Sequence, residues 1–169
     1  MAILISFISS TTIAGQITLH LDSPPCKILK DSGETPFFIK GFGNLEDPGA
    51  PQLPEKSYWV LLPPNADLNT VTLKITGKTV TPLHVKLFVP PCPPARSMDE
   101  DPRTYWGQKK NIVNGLNLDI YEKDEFYPKT PLNLESTCRL KKKNLARILF
   151  RPVQYNPITK QATWIQEVT

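Results

Sequence analysis

At 169 residues and 19.1 kDa, with 40% hydrophobic and 21% charged residues, the chain is sized for one globular domain with a sizeable core. A net charge of +4 and a pI near 8.9 give a modest preference for acidic partners and do not indicate nucleic acid. Three widely spaced cysteines, Cys26, Cys92 and Cys138, exclude a Cys-x-x-Cys zinc pair and allow at most one internal disulfide.

In chain order, Met1 to Gly15 carries no charge and holds Ile3-Leu-Ile-Ser-Phe-Ile8 ahead of small residues up to Ala14. This stretch reads as a secretory signal peptide cleaved near Ala14 or Gly15, or as a first strand. No other stretch nears the roughly 18 apolar residues of a membrane span. Residues 16–169 then read as a single domain. Short runs rich in β-branched and aromatic residues recur between Pro, Gly, Asn and Asp, while helical periodicity is nearly absent. The expected strands are Gln16 to Leu21, Pro36 to Gly41, Ser57 to Leu62, Asn69 to Thr76, Leu83 to Val89, Leu116 to Tyr121, Leu145 to Val153 and Gln161 to Val168. About eight strands in this length predict an all-β, antiparallel β-sandwich, jelly-roll-like, with long proline-rich loops.

Individual segments sharpen that expectation. Asp47-Pro-Gly-Ala-Pro-Gln-Leu-Pro54 places three prolines close together, so it should run along a sheet edge or cross between sheets, with Gly49 supplying a positive φ after Pro48. Val71, Leu73 and Ile75 alternate with Thr70, Thr72, Lys74 and Thr76, the pattern of a strand with one dry and one wet face. Leu83, Val85, Leu87 and Val89 repeat it. Ala146, Ile148 and Phe150 should point inward, opposite Arg147, Leu149 and Arg151. Tyr155-Asn-Pro-Ile-Thr-Lys160 supplies turn residues for a hairpin returning through Gln161 to Val168. Residues 90–115 form the longest candidate loop, opening with Pro90-Pro-Cys-Pro-Pro94; loops of that length in compact domains are usually either functional or disordered.

Catalytic chemistry is hard to assemble. Two histidines, His20 and His84, sit in strand-like sequence, and neither cysteine turn has the glycine or helix start that would stabilise a thiolate. Asp99, Glu100 and Asp101 read as a solvated acidic loop rather than a calcium site, so no metal or cofactor is expected. Arg139-Leu-Lys-Lys-Lys143 reads as a solvated turn between strands.

Three segments in order carry a resemblance to a known family: Gly49-Ala-Pro-Gln-Leu-Pro54 with the apolar strand ending in Pro63-Pro-Asn-Ala66, Asp119-Ile-Tyr-Glu-Lys-Asp-Glu-Phe-Tyr-Pro128, and Arg147-Ile-Leu-Phe-Arg-Pro-Val-Gln-Tyr-Asn-Pro157. Together they resemble the amino-terminal propeptide of the gingipain-type secreted cysteine peptidases. The resemblance implies a noncatalytic β-sandwich, secreted or at the cell surface, that keeps a cognate cysteine peptidase catalytic domain latent and assists its folding. It also implies that a basic side chain occupies the specificity pocket. Arg96, Arg103, Lys109 and Lys110 in the long loop are the candidates, Arg103 foremost because Tyr105 and Trp106 stand beside it to anchor the loop. Neither nucleic acid nor membrane is expected as a partner. The competing reading is a stand-alone secreted binding module for adhesion or carbohydrate, with Trp59, Trp106 and Trp164 as stacking faces.

Overall fold

The structure, a computed structural model, describes residues 15–29, 36–44, 47–84, 86–93 and 111–169. Two four-stranded antiparallel sheets dominate it. In the first, β12 (Gln161–Val168) is central. The strand β6 (Lys78–Leu83) runs along one of its edges from Ala162 to Val168. The other edge is shared end to end by β11 (Val153–Asn156) and β1 (Leu21–Asp22). In the second sheet the order is β4 (Gly43–Asn44), β5 (Pro54–Leu62), β10 (Lys143–Phe150) and β9 (Leu132–Leu140). Two short ribbons complete the strands: β2 (Lys27–Ile28) with β3 (Phe37–Phe38), and β7 (Ile112–Val113) with β8 (Leu116–Asn117). Among the described residues a short helix, α1 (Leu118–Tyr121), follows β8.

The core forms where the inner faces meet. Ile148, Phe150 and Leu132 from the second sheet pack with Leu21, Ile165 and Val168 from the first, and the Phe42 ring meets Phe150 edge-on at 5.9 Å. A second cluster gathers Phe37, Ile39, Leu53, Val89, Val153, Tyr155 and Ala162. Ala146, Ile148 and Phe150 do point inward. Leu149 is buried as well, so parity alone does not describe that strand.

The chain changes sheets at Arg151-Pro152. Proline lacks the N–H that the next ladder step would need, so β10 ends there. The Pro152 carbonyl instead accepts from Ile165 N at 2.7 Å, and the Arg151 guanidinium turns back to Glu55 of β5 at 2.6 Å. Four residues later the turn stands where expected, but the strand it pairs with β12 is β11 and not the expected Leu145 to Val153 strand, whose first part, β10, lies in the other sheet: Asn156 Oδ1 accepts from the N–H groups of Ile158 and Thr159, and Lys160 takes φ 56°. The basic run at 139–143 is likewise a turn, with Lys141 and Lys142 at positive φ between β9 and β10.

Several expected elements differ in detail. Residues 71–76 keep the predicted alternation of half-buried and exposed side chains but form no ladder; at their end Thr76 N donates to Thr169 O at 2.7 Å. Strand β6 covers Lys78–Leu83, earlier than the expected Leu83 to Val89, whose Leu87 and Val89 nevertheless face the core. Leu116 to Tyr121 divides into β8 and α1 because the Asn117 side chain accepts from Asp119 N at 3.1 Å and caps a helical turn. Strand β9 was not expected.

Candidate functional site

The Asp47–Gln52 segment is the structural centre of the long-loop region. Pro48 and Gly49 form a turn closed by Ala50 N donating to Asp47 O at 3.1 Å, with Gly49 at φ 83°, as expected for glycine at the third position of a type II turn. Gly49 is buried, and a Cβ there would lie 3.0 Å from Ile112 Cδ1 and 3.3 Å from Asn117 Cβ, so a side chain at this position is strained and crowds both neighbours.

That turn holds both ends of the long loop. On the entering side, Pro90, Pro91 and Pro93 have no N–H, which leaves Cys92 as the lone backbone donor of that run. Cys92 N donates to Ala50 O at 2.7 Å, while Gly49 N reaches Cys92 O at 2.9 Å and Gln52 N reaches Pro90 O at 3.0 Å. The Gln52 side-chain amide adds a bond to Pro91 O at 3.1 Å. On the returning side, Asn117 N donates to Gly49 O at 3.0 Å. The two feet are also tied to each other, since Tyr121 Oη donates to Val89 O at 2.8 Å. Beneath them the buried Tyr155 Oη donates to Leu87 O at 3.0 Å, and Tyr127 Oη donates to Asp47 Oδ2 at 3.3 Å. Burial, then the nearby Asp47 charge, raises the Tyr127 phenol well above its ordinary range; burial likewise raises Tyr121.

The returning foot is a hairpin that sequence reading missed although its signal was present. Asn114-Gly115 takes φ 51° and 82° between β7 and β8, the conformation for which Asn-Gly is preferred in two-residue hairpins. Asn111 O then accepts from Leu118 N at 2.9 Å, and the Asn111 amide donates to Asp119.

Arg96, Arg103, Lys109 and Lys110 lie outside the described residues, as do Trp106 and the acidic trio at 99–101. The remaining candidates are accounted for. Cys26 and Cys138 are free thiols, and the Cys92 thiol contacts Pro93 O at 3.5 Å, so no bridge staples the proline turns. Burial pushes the Cys26 thiol up to about 11, the opposite of an activated nucleophile. His20 Nδ1 sits 2.9 Å from Thr169 Oγ1, and His84 is exposed. Among the described residues, no group of three His, Cys, Asp or Glu side chains is arranged to hold a metal. A cleft of about 550 Å³ against the second sheet is lined by Ile17, Val60, Leu73 and Ile148, with Asp67 as the single ionisable group among the described residues, which is no acid–base constellation. Trp164 is half-buried and donates to Ser23 Oγ at 3.0 Å, whereas Trp59 is exposed with the Arg147 guanidinium 5.9 Å above its ring. The described tryptophans therefore do not form a shared stacking platform.

Comparison with known proteins agrees with this frame. A prodomain–mature domain complex of RgpB from Porphyromonas gingivalis superposes with a TM-score of 0.69 at 16% identity, covering 94% of this chain and 78% of that one. A structure described as giving insight into the zymogenic latency of gingipain K, from the same organism, superposes with a TM-score of 0.61 at 16% identity, covering 100% and 96%. No curated protein matches the chain in sequence. The family model Propeptide_C25 matches residues 28–169, and the chain accordingly belongs to the C25 propeptide family.

Proposed function

We propose that the domain is a noncatalytic prodomain that keeps a gingipain-like cysteine peptidase latent and assists its folding, by presenting a basic side chain of the long loop to the active-site cleft. The observation that carries this reading is the anchoring of both loop feet to the turn at Asp47–Gln52. A loop held at both ends on a packed sheet scaffold loses less conformational entropy on docking than a free strand of chain, so more of its contact energy appears as affinity. Arg103 is the leading side chain, with Arg96, Lys109 and Lys110 as the others. An arginine fork or a lysine ammonium pairs with a pocket carboxylate through charge-assisted hydrogen bonds. Belonging to this family also supports export with the peptidase, to the exterior or the cell surface, with residues 1–15 as the signal segment. No helix among the described residues is long and apolar enough to cross a membrane.

The test is inhibition of the C25 catalytic domain by the full chain and by four single variants, Arg103→Ala, Arg96→Ala, Lys109→Ala and Lys110→Ala. Loss of one charge-assisted pair costs about 1.5–3 kcal/mol, so one variant should weaken inhibition by roughly 10- to 100-fold while the other three stay near wild type. Four variants that all inhibit as wild type would remove the basic-residue mechanism.

A further inference from the structure

Two apolar side chains, Phe88 and Val113, are left exposed beside the feet of the long loop. Phe88 is 54% exposed although the next residue, Val89, is fully buried. Its ring leans on Tyr121 at 6.1 Å between centroids, and the Tyr121 hydroxyl is fixed by the Val89 carbonyl. Val113 on β7 is 49% exposed, one hairpin turn from Gly115, whose Cβ position lies 4.0 Å from Pro91 Cγ. Phe88 and Tyr121 thus flank the loop where it leaves the sandwich, and Val113 flanks it where it returns. Exposed aromatic and aliphatic groups on a pinned backbone are unfavourable in water, yet lose little freedom when covered.

We infer that Phe88, Tyr121 and Val113 form the surface on which the catalytic domain rests, so that the prodomain is held by an apolar seat around the loop and not by the loop alone. This rests on the latency reading above. A loop that enters a cleft brings the ground around its own feet against the rim of that cleft, so this patch is continuous with the contact the loop makes. The occupant it suits is an apolar rim on the peptidase, with Phe88 as the central anchor. A second apolar patch, Trp59 and Leu61, lies on the outer face of β5, five residues and roughly 17 Å along the strand from its start at Pro54, away from the loop feet.

The experiment measures affinity of the full chain for the C25 catalytic domain as wild type, Phe88→Ala, Phe88→Arg, Val113→Lys and Trp59→Ala, with thermal unfolding of each as the folding control. The inference predicts at least tenfold weaker binding for Phe88→Ala, a larger loss for Phe88→Arg and Val113→Lys, and a change within about twofold for Trp59→Ala. Should Phe88→Ala alone lower the unfolding temperature, the Val113→Lys variant decides. Wild-type binding that survives the Phe88 and Val113 changes, or that is lost with Trp59→Ala instead, overturns this seat while leaving the latency reading intact. A wild-type chain that does not bind overturns both.

Discussion

Gly49 shows how much one residue can decide. Its φ of 83° and the 3.0 Å approach of Ile112 Cδ1 to its Cβ position mean that any side chain meets both backbone strain and a neighbour. Gly49→Ala should cost about 1–3 kcal/mol in denaturant unfolding, and it should weaken inhibition beyond that, because Asn117 and Cys92 both bond to the displaced backbone. Equal stability in the two proteins would contradict this. Asn144 makes the complementary case of a buried polar group. Its side-chain amide donates to Pro63 O at 3.1 Å and to Pro64 O at 3.0 Å, which holds the turn after β5 in place. Asn144→Ala should cost about 1–3 kcal/mol by leaving those carbonyls without the donor, read from the urea midpoint. The positive φ at Gly49 was legible because Pro-Gly has a local conformational meaning. The role of Asn144 was not, since its partners lie some eighty positions away and no local pattern encodes them.

Elements were legible where a period of two persisted and illegible where something interrupted it. β10, β12 and the hairpin between β11 and β12 follow from alternation and turn residues. β9 escaped because the register on β10 shifts between Arg147 and Ile148, whose partners are Ser136 and Leu134. The extra residue, Glu135, flips the parity midway, so Leu132 and Leu134 face the core while Thr137, not Ser136, continues that face. Glu135 is not idle: its carboxylate lies 2.7 Å from Arg147 Nε, with both side chains more than a third exposed. The Arg151–Glu55 pair across the sheet change is shorter and drier, at 2.6 Å with each side chain 18% exposed. A double-mutant cycle should therefore give about 1 kcal/mol or more of coupling for Arg151–Glu55 and a few tenths for Arg147–Glu135. Equal coupling would mean that burial does not set the difference.

For the molecule as a whole, buried phenols make alkaline pH the vulnerable direction. Burial raises Tyr58, Tyr121, Tyr127 and Tyr155 above the ordinary value of 10.0, and raises the Cys26 thiol from 9.0 to about 11. In the unfolded chain these groups lose protons first, so the stability they contribute is complete below pH 9 and declines as pH rises past 9 and then 10. Urea midpoints at pH 7, 9 and 10.5 should fall in that order, steeply at the last step; a flat profile would contradict burial of these side chains. The all-β class was legible at this scale because most of the long strands carry their own pattern. The joining of the loop feet by a turn some forty residues upstream was not, because Gly49, Cys92 and Asn117 signal nothing to one another in sequence. Latency through a loop in the cleft is read by a steady-state titration of the full chain into the active C25 catalytic domain with a small peptide substrate. A loop occupying the cleft gives one-to-one inhibition that is competitive with substrate. Inhibition that is absent, or that is indifferent to substrate concentration, would contradict it.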